Sequence, residues 1–407
     1  MLTPLDLHSE HGVLARIRPI ASPAIVAIAQ RLERIFVVES PFAPGLKAIG
    51  GLVALDRDQA AAHGAARASV TGNGESVEAA LVSCLAEAAD FLSQLERPGD
   101  IAATGRADEL PGAVADGWIT HAIDAQALDW VSARDAATGA AALLPADLCL
   151  RRAAAWRKLT PPAPLSSGAA AGRSFEAAAM RAVLELCERD AAALWWHGGK
   201  SGRGFPLEHE ASRAATALIE RLRCGTTDRK AWILDITAVA DVPVVAAVSI
   251  DQDGRGLACG MAARCDVVEA AEAAALEMCQ MELAAPLAAA KHAEAGESAL
   301  NEADRRHLRR AAVDTATCHL LWPRGMTTLE RVEASPGLDQ LTARLNEQGI
   351  PIFLFDMTRG DIGVHSVRAV SPALQPFAPA AAISTERLRR TLGQSGGVAS
   401  TAAIPLM

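Results

Sequence analysis

Three times along this chain, a polar residue suited to capping a helix is followed eleven and fourteen residues later by two polar side chains, set in an Ala-, Leu- and Val-rich run. Ser76 precedes Glu87 and Asp90, Ser174 precedes Glu185 and Glu188, and Asp266 precedes Glu277 and Gln280. Residues three apart share a helix face, so each pair projects together from an otherwise apolar helix. Ser and Asp satisfy the free N–H groups of a first turn, which makes each one a helix start. Carboxylates placed this way cost free energy unless they are paired or bind a cation. Three helices converging on Mg2+ and a polyphosphate remove that cost, because Mg2+ takes carboxylate and phosphate oxygens together.

The first two helices share more than this spacing. Gly74-Glu-Ser76-Val-Glu78-Ala79-Ala80 aligns without a gap on Gly172-Arg-Ser174-Phe-Glu176-Ala177-Ala178. A Gly/Ala-rich loop over 166–172 leads into the second helix, and Arg189, beside Glu188, is the cation available there to answer a phosphate. Taken alone, this stretch reads equally well as a solvated Glu/Arg face. Its recurrence in one phase favours the site.

At these residues the chain resembles the YcaO family. The likeness rests on Ser174, Glu185-x-x-Glu188-Arg189, the upstream Glu87-x-x-Asp90 and the downstream Glu277-x-x-Gln280. It extends to Leu234-Asp-Ile-Thr237, Val242-Pro-Val-Val245, Gly260 and the segment from Val364 to Pro372, hence from about residue 45 to about residue 380. The resemblance implies an α+β, pseudo-symmetric fold of repeated strand–helix units, with carboxylate-bearing helices around a nucleotide site. It implies ATP and Mg2+ as cofactors and the activation of a peptide-bond oxygen. In that scheme Glu87, Asp90, Glu185, Glu188 and Glu277 hold Mg2+ directly or through water, Arg189 contacts phosphate, and Ser174 and Gln280 position the nucleotide. The chain departs from the family pattern at Asp90 and Phe91, where Glu and Arg are usual, at Arg173, and at Ala177, whose missing acid Glu176 replaces in the nucleotide site.

The reaction this suggests is cyclodehydration of Cys, Ser or Thr to azolines in a ribosomally made precursor peptide. Backbone thioamidation and a partner-binding subunit without chemistry are the alternatives. A precursor peptide and a leader-binding partner subunit follow from the resemblance, which also admits a flavin-dependent dehydrogenase subunit and a homodimer within a larger complex.

Composition narrows the remaining classes. The 407 residues are 50% hydrophobic and carry a net charge of −9, which suits a folded core and argues against a general nucleic-acid binder. The longest apolar stretch, 231–250, is broken by Asp235, Asp241 and Pro243 and reads as two strands, not a membrane span. The first residues lack a signal peptide's basic start and apolar core, so a cytoplasmic protein is expected. Eight cysteines without a C-x-x-C pair are expected to be reduced core thiols. There is no P-loop, no H-E-x-x-H and no G-x-S-x-G, and tyrosine is absent.

Along the chain, 1–45 is expected as an N-terminal segment, 46–392 as one catalytic domain with repeats near 72–95, 170–193 and 260–283, and 393–407 as a flexible tail. Within these, a helix is expected over 24–34, a hairpin over 46–70, a connecting region over 97–165 and an exposed helical arm over 301–313. His197 and Lys200 follow the second site helix; packing and capping are the commoner fate of such a His. The apolar tip of the tail either docks and brings the terminal carboxylate of Met407 near the substrate, or is a disordered end.

Overall fold

Three antiparallel sheets, each with helices packed on it, make up the computed structural model, which describes residues 2–4, 12–123, 126–332, 334–377, 383–395 and 406. The architecture is α+β. The first sheet takes Leu2–Pro4, Leu32–Glu39, Lys47–Ala54 and Arg67–Gly74 in sequential order. The expected hairpin forms, but with the helix Arg57–His63 between its arms. A reciprocal Asp56/Gln59 cap starts that helix, and Gly64, at φ 85°, ends it. The helix expected over 24–34 is shorter, Pro23–Ile28 and one 3-10 turn, because the Ile- and Val-rich stretch after it pairs as Leu32–Glu39.

The second sheet runs Ala258–Ala263, Val244–Asp251, Arg229–Asp235 and Arg203–Gly204. Val244–Asp251 is buried on both faces. Val244, Ala246, Val248 and Ile250 join the core beneath the helix Phe175–Trp196, whereas Val245 and Ala247 join the one beneath Val267–Met281. One strand therefore separates the supports of two site helices.

The third sheet orders Ile101–Gly105, Leu128–Asp135, Phe353–Asp356, His365–Val370 and Ala169–Gly172, with Ala141–Pro145 beside Leu128–Asp135. Residues 97–165 are thus more than a connector, since three of these strands come from them. Arg152, buried among Glu96, Asp129 and Asp147, ties the region down. The segment 301–313 forms the helix Glu302–Ala311, and one of its four arginines, Arg310, is fully buried, so it is not a wholly exposed arm. All eight cysteines are free thiols, and among the described residues no helix is long and apolar enough to cross a membrane.

Candidate functional site

Each site helix follows directly from a strand: Val77–Ser93 from Arg67–Gly74, Phe175–Trp196 from Ala169–Gly172, and Val267–Met281 from Ala258–Ala263. Ser76 accepts the N–H of Ala79, Ser174 that of Ala177, and Asp266 those of Val268 and Glu269, as the capping pattern requires. Strand and helix backbones touch at a glycine in every unit. A Cβ on Gly72, Gly172 or Gly260 would lie 2.2 Å from Cys84 N, 2.4 Å from Ala178 N or 2.2 Å from Met278 N.

That closeness lets helix carboxylates reach strand N–H groups. Glu277 Oε2 accepts Met261 N–H at 2.8 Å, and Glu87 Oε2 accepts Thr71 N–H and Oγ1–H, both at 3.0 Å. The middle helix differs. Its Glu185 and Glu188 form ion pairs with the two arms of Arg189 at 3.3 and 3.4 Å, and Glu188 also accepts Ala263 N–H, at 3.3 Å, from the third unit. Asp90 accepts Ser366 Oγ–H at 2.7 Å and Gln94 Nε2–H at 2.8 Å, and Ser366 lies on the strand paired with Ala169–Gly172. Asn73 donates to the side-chain oxygen of Gln280. Cross-unit bonds thus join all three helices.

Electrostatic neighbours string the five carboxylates in a row and not one knot: Glu87 with Asp90, Asp90 with Glu185, Glu185 with Glu188 and Glu188 with Glu277. Burial pushes Glu185 up to about 7, with Arg189 pulling it down and Glu188 pushing it further up. Glu277 is likewise raised to about 7 by burial and by Glu188. Glu188, Glu87 and Asp90 are raised too, each chiefly by burial. Arg189 stays above its ordinary value because Glu188, Glu185 and Glu277 outweigh its desolvation. Arg264 also acts on Glu188, and Arg368 and Arg151 on Asp90, so several guanidinium groups share the row with Arg189. Among the described residues no three His, Cys, Asp or Glu side chains are gathered tightly enough to hold a metal unaided. Mg2+ takes one or two carboxylates and completes its shell with phosphate and water, so these carboxylates would hold it together with a bound polyphosphate.

Two further residues belong to this region and escaped the sequence reading. Arg181 lies four residues before Glu185 on the same helix face, and Arg264 follows Ala263, the partner of Glu188. Their guanidinium groups reach the carbonyls of Ala171 and Ala263, at 3.2 and 2.7 Å. After burial, Arg264 and Arg173 are what lower the pKa of Arg181, so three exposed cations lie near one another. An i, i+4 Arg–Glu spacing was the only signal for Arg181, and it is common on solvated helices.

The other expected residues fall elsewhere. Ser174 serves as the cap. Glu176, exposed in the first turn, lines a separate groove with Arg134, Phe175 and Asp356, and it is not part of the carboxylate row. Its carboxyl is held low by its own backbone N–H and by Ser174. His197 caps the middle helix against the ring of Phe377, and Lys200 donates to Thr237 O. Met407 lies outside the described residues. Its neighbour Leu406 is 2% exposed in the main core, and its carbonyl accepts Arg310 Nη1–H at 2.9 Å.

A family model described as YcaO cyclodehydratase, ATP- and Mg2+-binding, matches residues 71–375. Similar solved structures include a heterocyclase in complex with substrate and cofactor, at TM-score 0.70 and 18% identity, covering 100% of this chain and 57% of that one. YcaO from Methanopyrus kandleri bound with AMPPCP and Mg2+ gives 0.61 and 19%, over 83% and 86% of the two chains. The E. coli microcin synthetase McbBCD complex with pro-MccB17 bound gives 0.61 and 16%, over 84% and 88%. The chain thus spans little more than half the length of that heterocyclase, and at these identities the likeness is one of fold. Among curated proteins none matches it in sequence.

Proposed function

The chain belongs to the YcaO family, and from that membership we propose that it is an ATP-dependent cyclodehydratase converting Cys, Ser or Thr of a ribosomally made precursor peptide to azolines. The observation that carries this reading is Arg189 clasped by Glu185 and Glu188 beside Glu277, on helices from separate units.

Bound Mg·ATP supplies the phosphoryl group that makes the amide oxygen a leaving group. The chain's own part is positional and electrostatic. Glu185, Glu188 and Glu277, with Glu87 and Asp90 further along the row, would hold Mg2+ directly or through water. Arg189, fixed at both arms, meets phosphate charge without having to reorient. Gln280, tied to Asn73, and Ser174, tied to Ala177, hold the nucleotide's surroundings in place. Burial raises Glu185 and Glu277 to about 7, so holding the metal would require each to give up its proton. A precursor peptide and a leader-binding subunit are the partners this reading requires.

ATP turnover with a candidate precursor and partner, followed by product mass, tests it. Cyclodehydration removes one water per site, whereas thioamidation exchanges oxygen for sulfur. ATP binding without turnover in any such mixture would instead mark a subunit that does no chemistry.

A further inference from the structure

Arg189 has a second neighbourhood. Beside the middle site helix lies a small, partly open cavity of about 50 Å³ whose apolar wall is made by Trp118, Leu148, Pro162, Leu186, Leu374 and Phe377. Leu186 and Arg189, three apart, carry the helix face that closes it. Arg189 therefore borders both this cavity and the carboxylate row.

The cavity is built and braced. The Trp118 indole donates to Ser371 O at 2.8 Å, and the N–H of Gln375 donates to Asp190 Oδ1 at 2.8 Å, one residue beyond Arg189. Arg368 also lines it, 7% exposed, on the strand His365–Val370. Its Nη1 donates to Leu165 O, but its buried Nε finds no protein acceptor. The Leu165 carbonyl thus holds this guanidinium at the cavity wall, where its charge stands beside the apolar lining. Apolar walls with two guanidinium groups suit a ligand with an apolar body and an oxygen acceptor close by.

We propose that this cavity seats the apolar side chain of the peptide residue whose carbonyl is activated, with Arg189 and Arg368 as donors to the peptide's oxygens. The inference rests on the reading of the protein as a peptide-amide enzyme. It adds a specificity: the residue before the modified Cys, Ser or Thr is large and apolar. Arg189 then lies between the substrate oxygen and the phosphates held by the carboxylate row, which brings the two reacting groups together.

The probes are N-acetyl-Leu-Cys-amide and N-acetyl-Gly-Cys-amide, titrated into the full chain and followed by ligand-observed NMR, with Mg·ATP affinity measured by calorimetry on the same samples. The leucyl probe should bind about tenfold or more tightly than the glycyl probe, the difference expected for burying a Leu side chain. Ala163→Trp, which fills the cavity from a partly exposed loop position, should erase that difference and leave Mg·ATP affinity unchanged. If its melting curve shows that Ala163→Trp does not fold, Ser167→Leu carries the same test. Equal affinities for the two probes, or no binding of either at millimolar concentration, overturn the proposal. So does a filled cavity that weakens Mg·ATP and spares the peptide, since the pocket would then seat the nucleotide's base. Wild-type protein that turns over ATP and cyclises precursor sites with equal kcat/KM whether Gly or Leu precedes them overturns the cavity inference alone. Failure to bind Mg·ATP at all overturns the functional reading beneath it.

Discussion

Asn73 donates its side-chain amide to the side-chain oxygen of Gln280, 207 residues further along, and so joins the strand feeding the first site helix to the face of the third. Neither residue has this partner within its own unit. Asn73→Ala and Gln280→Ala should each weaken Mg·ATP binding, and the double variant should be little worse than either single one. The coupling energy from melts and calorimetry is expected at about 0.5–1.5 kcal/mol; additive losses would mean that the two act independently.

Glu188 serves both Arg189 and Ala263 N–H. Glu188→Gln keeps the volume and removes the charge. It should cut ATP turnover on the order of a hundredfold or more while the protein still melts cooperatively. Undiminished turnover would remove Glu188 from the metal site.

The raised carboxyl of Glu277 sets a direction for pH. Its folded pKa, about 7, lies above the unfolded value of about 4.5. Between those values the folded chain holds a proton that the unfolded chain has lost, so stability falls as pH rises through this window and levels off above 7. Glu277→Gln stays neutral and can still accept Met261 N–H. Relative to wild type it should therefore grow more stable from pH 5 to 7, by about 1–3 kcal/mol at most. Melts of both proteins across that range check the sign. Mg·ATP should bind wild type more tightly as pH rises to 7, with proton release visible by calorimetry in buffers of different ionisation enthalpy.

A methyl group at residue 260 would meet Met278 N at 2.2 Å and Ala274 O at 2.4 Å, both main-chain atoms that cannot rotate away. Gly260→Ala should therefore cost about 3 kcal/mol or more. Gly360→Ala, with nothing within 4 Å, should cost almost nothing, and denaturant melts of the pair make the comparison.

Arg310 is 1% exposed and holds the carbonyl of Leu406, itself in the main core. Arg310→Met should lower stability by about 1–3 kcal/mol. An unchanged denaturant midpoint would show that the contact with Leu406 contributes nothing to the fold.

How far the sequence revealed this site depends on the range of the interactions. Ser76, Ser174 and Asp266 were legible as caps because a cap is a local bargain with its own first turn. The carboxylate pairs were legible because a charge deep in an Ala-rich helix has few structural excuses. Arg264 was not, because its place beside Glu188 depends on a strand that begins seventy residues after Glu188. Arg310 read as solvated because it stands in a run of four arginines at helical spacing, and only tertiary packing distinguishes it from Arg309. Residues 97–165 hid their strands for a similar reason: Leu128–Asp135 pairs with Phe353–Asp356, too distant for any local pattern to announce.

The glycine contacts at residues 72, 172 and 260 have a consequence for how such a chain evolves. Where peptide backbones touch, the gap between strand and helix is set by main-chain atoms, which every sequence shares. Side chains elsewhere in the three cores can be exchanged, lost or regained over generations without altering that gap. Drift in packing and constancy of the carboxylate spacing are thereby uncoupled, and inheritance can rewrite most of the text while the instrument it encodes keeps its calibration.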